Sequence, residues 1–137
     1  MNKIIPPSLL LLLLSLSLSA QVVLRIVVND LASNDGHLLV ELSDADDQHI
    51  KGYSGDISGN ACTIIVDSLK AGQYAFRYFH DENDDEELNT YWTGIPKEGC
   101  GFSNNAFGKF GPPKFEKTVF ELRRDTTMFC TPWYFKR

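Results

Sequence analysis

An all-β chain folded as a single β-sandwich, of immunoglobulin-like or prealbumin-like type with about six to seven strands, is predicted by three observations. Short segments alternate apolar and polar residues with a period of two, as in Val22-Leu24-Ile26-Val28 and Leu38-Val40-Leu42. Clusters of Gly, Asn and Asp recur between them at spacings of about ten residues. No segment beyond residue 20 places apolar residues at helical spacing. The 137 residues suffice for one domain with a core and are too few for two.

Residues 1–20 read as a targeting segment. Lys3 supplies a positive start, Leu9 to Leu14 an unbroken apolar run, and Ser17, Ser19 and Ala20 a small-residue cleavage site before Gln21. The run is short for a bilayer span, so the mature chain is expected to have no transmembrane segment and to be exported, periplasmic or extracellular. A net charge of −5 gives no counterion release on nucleic acid, which is therefore not an expected partner. Export permits disulfides, and the cysteines are Cys62, Cys100 and Cys130. Cys62 shares strand parity with Ile64 and Val66 and is expected in the core, which leaves Cys100 and Cys130 as the expected pair.

In order, strands are expected at Val22–Val28 and over Leu38-Val40-Leu42, with Asn34-Asp35-Gly36 as a hairpin turn between them. Residues 43–60 are polar and glycine-rich and are expected to be a loop around at most one short edge strand. Cys62-Ile64-Val66 marks the next strand, Ala71-Gly72 a turn, and Tyr74-Phe76-Tyr78 a strand running into His80. After residue 115, Thr118-Phe120-Leu122 forms a strand, Arg124-Asp125 a turn and residues 126–131 a last strand before Pro132.

Between the strands lies a stretch, residues 80–115, too long for an ordinary connection in a compact domain and therefore expected to be functional. Tyr91, Trp92, Ile95, Phe102, Phe107, Phe110 and Phe115 are expected to be buried in it, so that it packs over one end or face of the sandwich. Its head carries Asp81, Glu82, Asp84, Asp85, Glu86 and Glu87. Asp81, Asn83, Asp85, Glu87 and Asn89 stand at every second position, the oxygen-ligand spacing of an EF-hand-type loop, and make Ca²⁺ the one cofactor to consider. Glu86 stands where that loop prefers Gly, Trp92 where it has a bidentate Glu, and flanking helices are absent, so this is not an EF-hand proper. A solvated acidic loop with no ion is the alternative.

Three other constellations complete the reading. His80 with Cys100 or Ser103 could be a nucleophile and its base in a small hydrolase, although no nucleophile elbow accompanies them. Tyr91, Trp92, Phe102, Asn104 and Asn105 have the composition of a surface for a glycan or protein ligand, with a small core of the loop's own as the plainer reading. Lys97 and Glu98, between Pro96 and Gly99, are expected to form a local ion pair or to cap the loop backbone. The class expected is a binding or envelope-associated module rather than an enzyme, with a structural docking domain of an envelope complex as a further alternative.

His80-Asp81-Glu82-Asn83, Gly94-Ile95-Pro96-Lys97-Glu98-Gly99, Gly101-Phe102-Ser103-Asn104-Asn105 and Gly111-Pro112-Pro113-Lys114-Phe115 resemble the signature of a bacterial exported family, domain of unknown function 2141. The resemblance covers essentially the whole chain after residue 20 and implies an exported single-domain β-sandwich with no established activity. The family loop typically reads HDxNxNGxLD. Here Asp85 replaces the second Asn, Glu86 the Gly and Asn89 the final Asp, and Cys100 stands where the family often has an aromatic residue.

Overall fold

The computed structural model describes residues 20–135, so the targeting segment expected at residues 1–20 falls almost wholly outside the described part. Eight strands form two facing sheets: β1 (Gln21–Val28), β2 (His37–Asp44), β3 (His49–Asp56), β4 (Cys62–Lys70), β5 (Gly72–Asp81), β6 (Cys100–Phe102), β7 (Phe120–Leu122) and β8 (Thr126–Cys130). The smaller sheet has the order β4-β1-β8, antiparallel between β4 and β1 and parallel between β1 and β8. The larger has the order β3-β2-β5-β6, and β7 shares with β6 the second edge of β5.

The alternation in the sequence sets which side chains face inward. Leu24, Ile26 and Val28 from β1, Leu38, Val40 and Leu42 from β2, Ile64 and Val66 from β4, and Phe76 and Tyr78 from β5 form the buried core, with Cys62 among them as expected. In β4 the parity slips once. Ser68 adopts a left-handed φ of 58°, the register with β1 shifts between Val22 and Leu24, and this bulge returns Leu69 to the core side.

The turn residues make turns, but not the hairpin expected at Asn34-Asp35-Gly36. β1 and β2 lie in different sheets, so that segment crosses the sandwich. Gly36 has a φ of +68°, and a Cβ there would sit 1.8 Å from the Asp81 carbonyl oxygen. Residues 43–60 also depart from expectation. β3 is a full eight-residue edge strand paired along β2, with no fully buried side chain to announce it.

The long stretch 80–115 is not one loop. Its first two residues end β5, and residues 100–102 form β6. The second edge of β5 is filled piecewise: β7 pairs with Gly72–Tyr74 and β6 with Arg77–Phe79. In the gap between them Ser103, fully buried, takes the place of a ladder residue. Its Oγ accepts the Phe76 N–H at 3.1 Å and donates to the Thr118 carbonyl at 2.5 Å. Past β8 the chain crosses to the larger sheet, where Trp133 exchanges two main-chain hydrogen bonds with Cys100 (3.0 and 2.8 Å).

Candidate functional site

The acidic segment leaves β5 at Asp81, whose carboxylate is 1% exposed. Its Oδ1 accepts the N–H of Asp85 at 3.2 Å and its Oδ2 that of Glu86 at 2.8 Å. The chain coils tightly enough for this because Asp84 and Glu86 adopt left-handed φ values of 54° and 61°. Glu98, 5% exposed, receives the Glu82 N–H on Oε2 (2.8 Å) and the Asn89 N–H on Oε1 (3.1 Å). That is the backbone-capping role expected of it. Beyond Asn89 the chain forms a small hairpin, closed by Lys97 N–H to the Asn89 carbonyl (2.8 Å) and Tyr91 N–H to the Ile95 carbonyl (2.9 Å), with Trp92 in its turn.

These folds bring one carboxylate oxygen each from Asp81, Asp85 and Glu98 within 4.8 Å of one another. No Lys, Arg or His pairs with the three among the described residues. Of the five ligands expected from the spacing, Asp81 and Asp85 belong to this cluster. Asn83 and Asn89 stand beside it and donate their amides to Asp85 Oδ2, at 3.1 and 2.9 Å. Glu87 contributes its N–H to Asp85 Oδ1 (3.0 Å), while its side chain is exposed outside the cluster. The Glu87 N–H, then the Asn89 amide, hold the Asp85 carboxyl below the usual carboxylate range. Glu98 is the member that spacing missed. It lies far along the chain, and only closure of the hairpin brings it in.

A second group ties this segment to the sheet edge. His37 sits between Asp84 (Nδ1 to Oδ1, 2.5 Å) and Asp56 (Nε2 to Oδ1, 3.2 Å). The hydrogen bond to Asp84, with that carboxylate's charge and then Asp56's, raises the His37 pKa above its ordinary 6.5.

His80 is fully buried, and both its ring nitrogens are engaged. Nε2–H donates to the Asp35 carbonyl at 2.7 Å, so Nδ1 is left to accept the Tyr134 hydroxyl at 2.9 Å. Tyr134 in turn accepts the Ala32 N–H at 2.8 Å. Among the described residues no hydrogen bond joins His80 to Cys100 or Ser103, and the Ser103 hydroxyl is spent on main chain. The expected Cys100–Cys130 disulfide is not formed, and all three cysteines are free thiols. Cys100 pairs with Phe79, on the side of the sheet opposite Tyr78, whereas Cys130 is buried in the core at the end of β8.

The residues expected to make a ligand surface fall on two elements. Tyr91 and Trp92 are on the hairpin, where the Lys97 ammonium lies 5.2 Å from the Tyr91 ring centroid and Trp92 is 97% exposed. Phe102, on β6, lines a small cavity with Arg77, Pro112, Pro113 and Phe115. Asn104 and Asn105, at left-handed φ of 62° and 49°, turn their amides onto main chain. Asn104 donates to the carbonyls of Lys117 (3.1 Å) and Val119 (3.0 Å), and Asn105 bridges the Phe129 carbonyl (3.2 Å) and the Thr131 N–H (3.0 Å). Nor do the loop aromatics form the expected buried set: Phe110 is 95% exposed and Phe107 44%.

A family model described as "uncharacterized protein conserved in bacteria", domain of unknown function 2141, matches residues 26–129, and the chain belongs to that family. No curated protein and no solved structure matches it. Among the described residues no helix is long and apolar enough to cross a membrane.

Proposed function

We propose that this family member is an exported binding module of the bacterial envelope whose acidic segment takes Ca²⁺. One observation carries the reading: Asp81, Asp85 and Glu98 hold carboxylate oxygens within 4.8 Å of one another, two of the three side chains buried, with no cationic side chain among the described residues paired to them. Like charges this close repel one another, and a cation seated among them would offset that repulsion. Each oxygen except Asp85 Oδ2 accepts a single hydrogen bond and keeps a lone pair. A hard cation that wants six to eight oxygens suits such a donor set, with water completing the shell. The rival reading as a hydrolase is less well supported, because the His80 imidazole is already bonded on both sides.

The test is a thermal melt of residues 21–137 in EDTA and in millimolar CaCl₂, with Asp85→Asn as control. Asp85 is exposed, so the control keeps the fold. A site with a Kd of about 0.1 mM, filled at about 1 mM Ca²⁺, adds about 1.4 kcal/mol by mass action and raises the midpoint by about 6 °C. A midpoint that does not move with calcium, or moves equally in Asp85→Asn, overturns the assignment.

A further inference from the structure

We propose that a second surface, built from residues 106–117 and the C-terminal residues stacked on them, seats the domain on an anionic phospholipid bilayer. In a chain of net charge −5, this segment carries Lys109, Lys114 and Lys117 against Glu116 alone, a local charge of +2. The three lysines are exposed. Among them Phe110 is 95% exposed, with the Lys109 ammonium 5.5 Å from its ring centroid. Beside it Phe107 stacks on Trp133, ring centroids 4.3 Å apart at 29°, and the pair keeps 44% and 46% exposure.

This exposure does not come from a frayed loop. Asn104 fastens the start of the segment to the carbonyls of Lys117 and Val119 at its end, and Asn105 fastens it to β8. The turn at its tip is tight, since a Cβ at Gly108 would lie 2.1 Å from the Gly111 carbonyl oxygen. A segment fastened at both ends therefore holds aromatic rings in water, with the Lys109 ammonium beside Phe110 and two further exposed lysines on the same segment. Aromatic rings partition to the bilayer interface, and lysines near the surface are drawn to anionic headgroups. Two weak signals together give peripheral attachment where either alone would not. Charge decides the orientation: the acidic segment beyond β5 is repelled by an anionic membrane, and this patch is attracted. The surface uses none of the residues assigned to the cation, so either proposal can fail without the other.

The experiment is sedimentation of residues 21–137, which contain both sheets, with vesicles of phosphatidylcholine alone or with about one third phosphatidylglycerol, in EDTA. The expected result is binding to the anionic vesicles only, abolished by high salt. Each lysine neutralised among Lys109, Lys114 and Lys117 should weaken it about fivefold. Phe110→Ser should weaken it with no change in melting midpoint. In a Trp92→Phe background, the Trp133 emission should shift to the blue on binding. Absence of binding to anionic vesicles, or binding indifferent to these substitutions, overturns the proposal. So does light scattering that shows a dimer dissociated by Phe110→Ser, which would assign the patch to a second copy of the chain.

Discussion

Ser103→Ala separates a structural serine from a nucleophile. The hydroxyl, fully buried, is the acceptor of the Phe76 N–H and the donor to the Thr118 carbonyl, in the gap that β6 and β7 leave along β5. Alanine keeps the volume nearly constant and removes both bonds. What remains is a buried N–H and a buried carbonyl with no partner, each costing about 1–3 kcal/mol, so the sum should fall at about 2–6 kcal/mol. For a domain of this size, with an m value of about 1.5 kcal/mol/M in urea, the midpoint should drop by about 1.3 to 4 M. Equilibrium urea unfolding measures that drop, and hydrogen exchange at the Phe76 amide, which should lose protection in the variant, localises it. A loss under about 1 kcal/mol with Phe76 still protected would refute the argument. A catalytic serine held under strain would behave in the opposite way, since its removal tends to leave stability unchanged or raise it.

Two further outcomes follow from the titrating groups. His37 has its pKa raised by Asp84 and Asp56, so its stabilising contribution is complete below about 6.5 and is lost as pH rises through the higher folded-state value. An NMR titration should place its midpoint above 6.5, and His37→Gln should flatten the melting curve's pH dependence in that window; a midpoint at or below 6.5 contradicts the clamp. Burial pushes the thiols of Cys62 and Cys130 up to about 11, so in the native protein at mild alkaline pH Ellman's reagent should leave both unmodified. Unfolding should release all three thiols, and a titre of one would instead reveal a disulfide.

The inward faces of β1, β2, β4 and β5 were legible because alternation alone decides which side chains are buried. The pairing was not. Turn chemistry at Gly36 or Gly72 shows that the chain reverses there, without showing whether it returns to its own sheet or crosses to the other. β3 was expected as at most one short edge strand, and its full length was not legible because an exposed edge strand needs few apolar residues; β6 escaped notice because its central position is Gly101, where a Cβ would lie 2.2 Å from the Tyr78 hydroxyl. At the site, Asp81 and Asp85 could be read from their spacing. Glu98 could not, because its hydrogen bonds to the main chain of Glu82 and Asn89 exist only once the hairpin closes. The loop aromatics misled for the converse reason. Apolar side chains were expected to find burial, and Trp92 and Phe110 lie in water instead.

The parallel pairing of β1 with β8 has a consequence for when the molecule can fold. Val23 bonds Asp125 across a separation of 102 residues, and β1 lies between β4 and β8 at the centre of its sheet. That sheet stays incomplete until residues 126–130 are available, however early β1 and β4 meet. Contacts this distant in sequence make for slow closure, because the intervening chain must be ordered before they form. A polypeptide still being synthesised would thus expose an open sheet, with the hazard of aggregation and the need for a holdase that this brings.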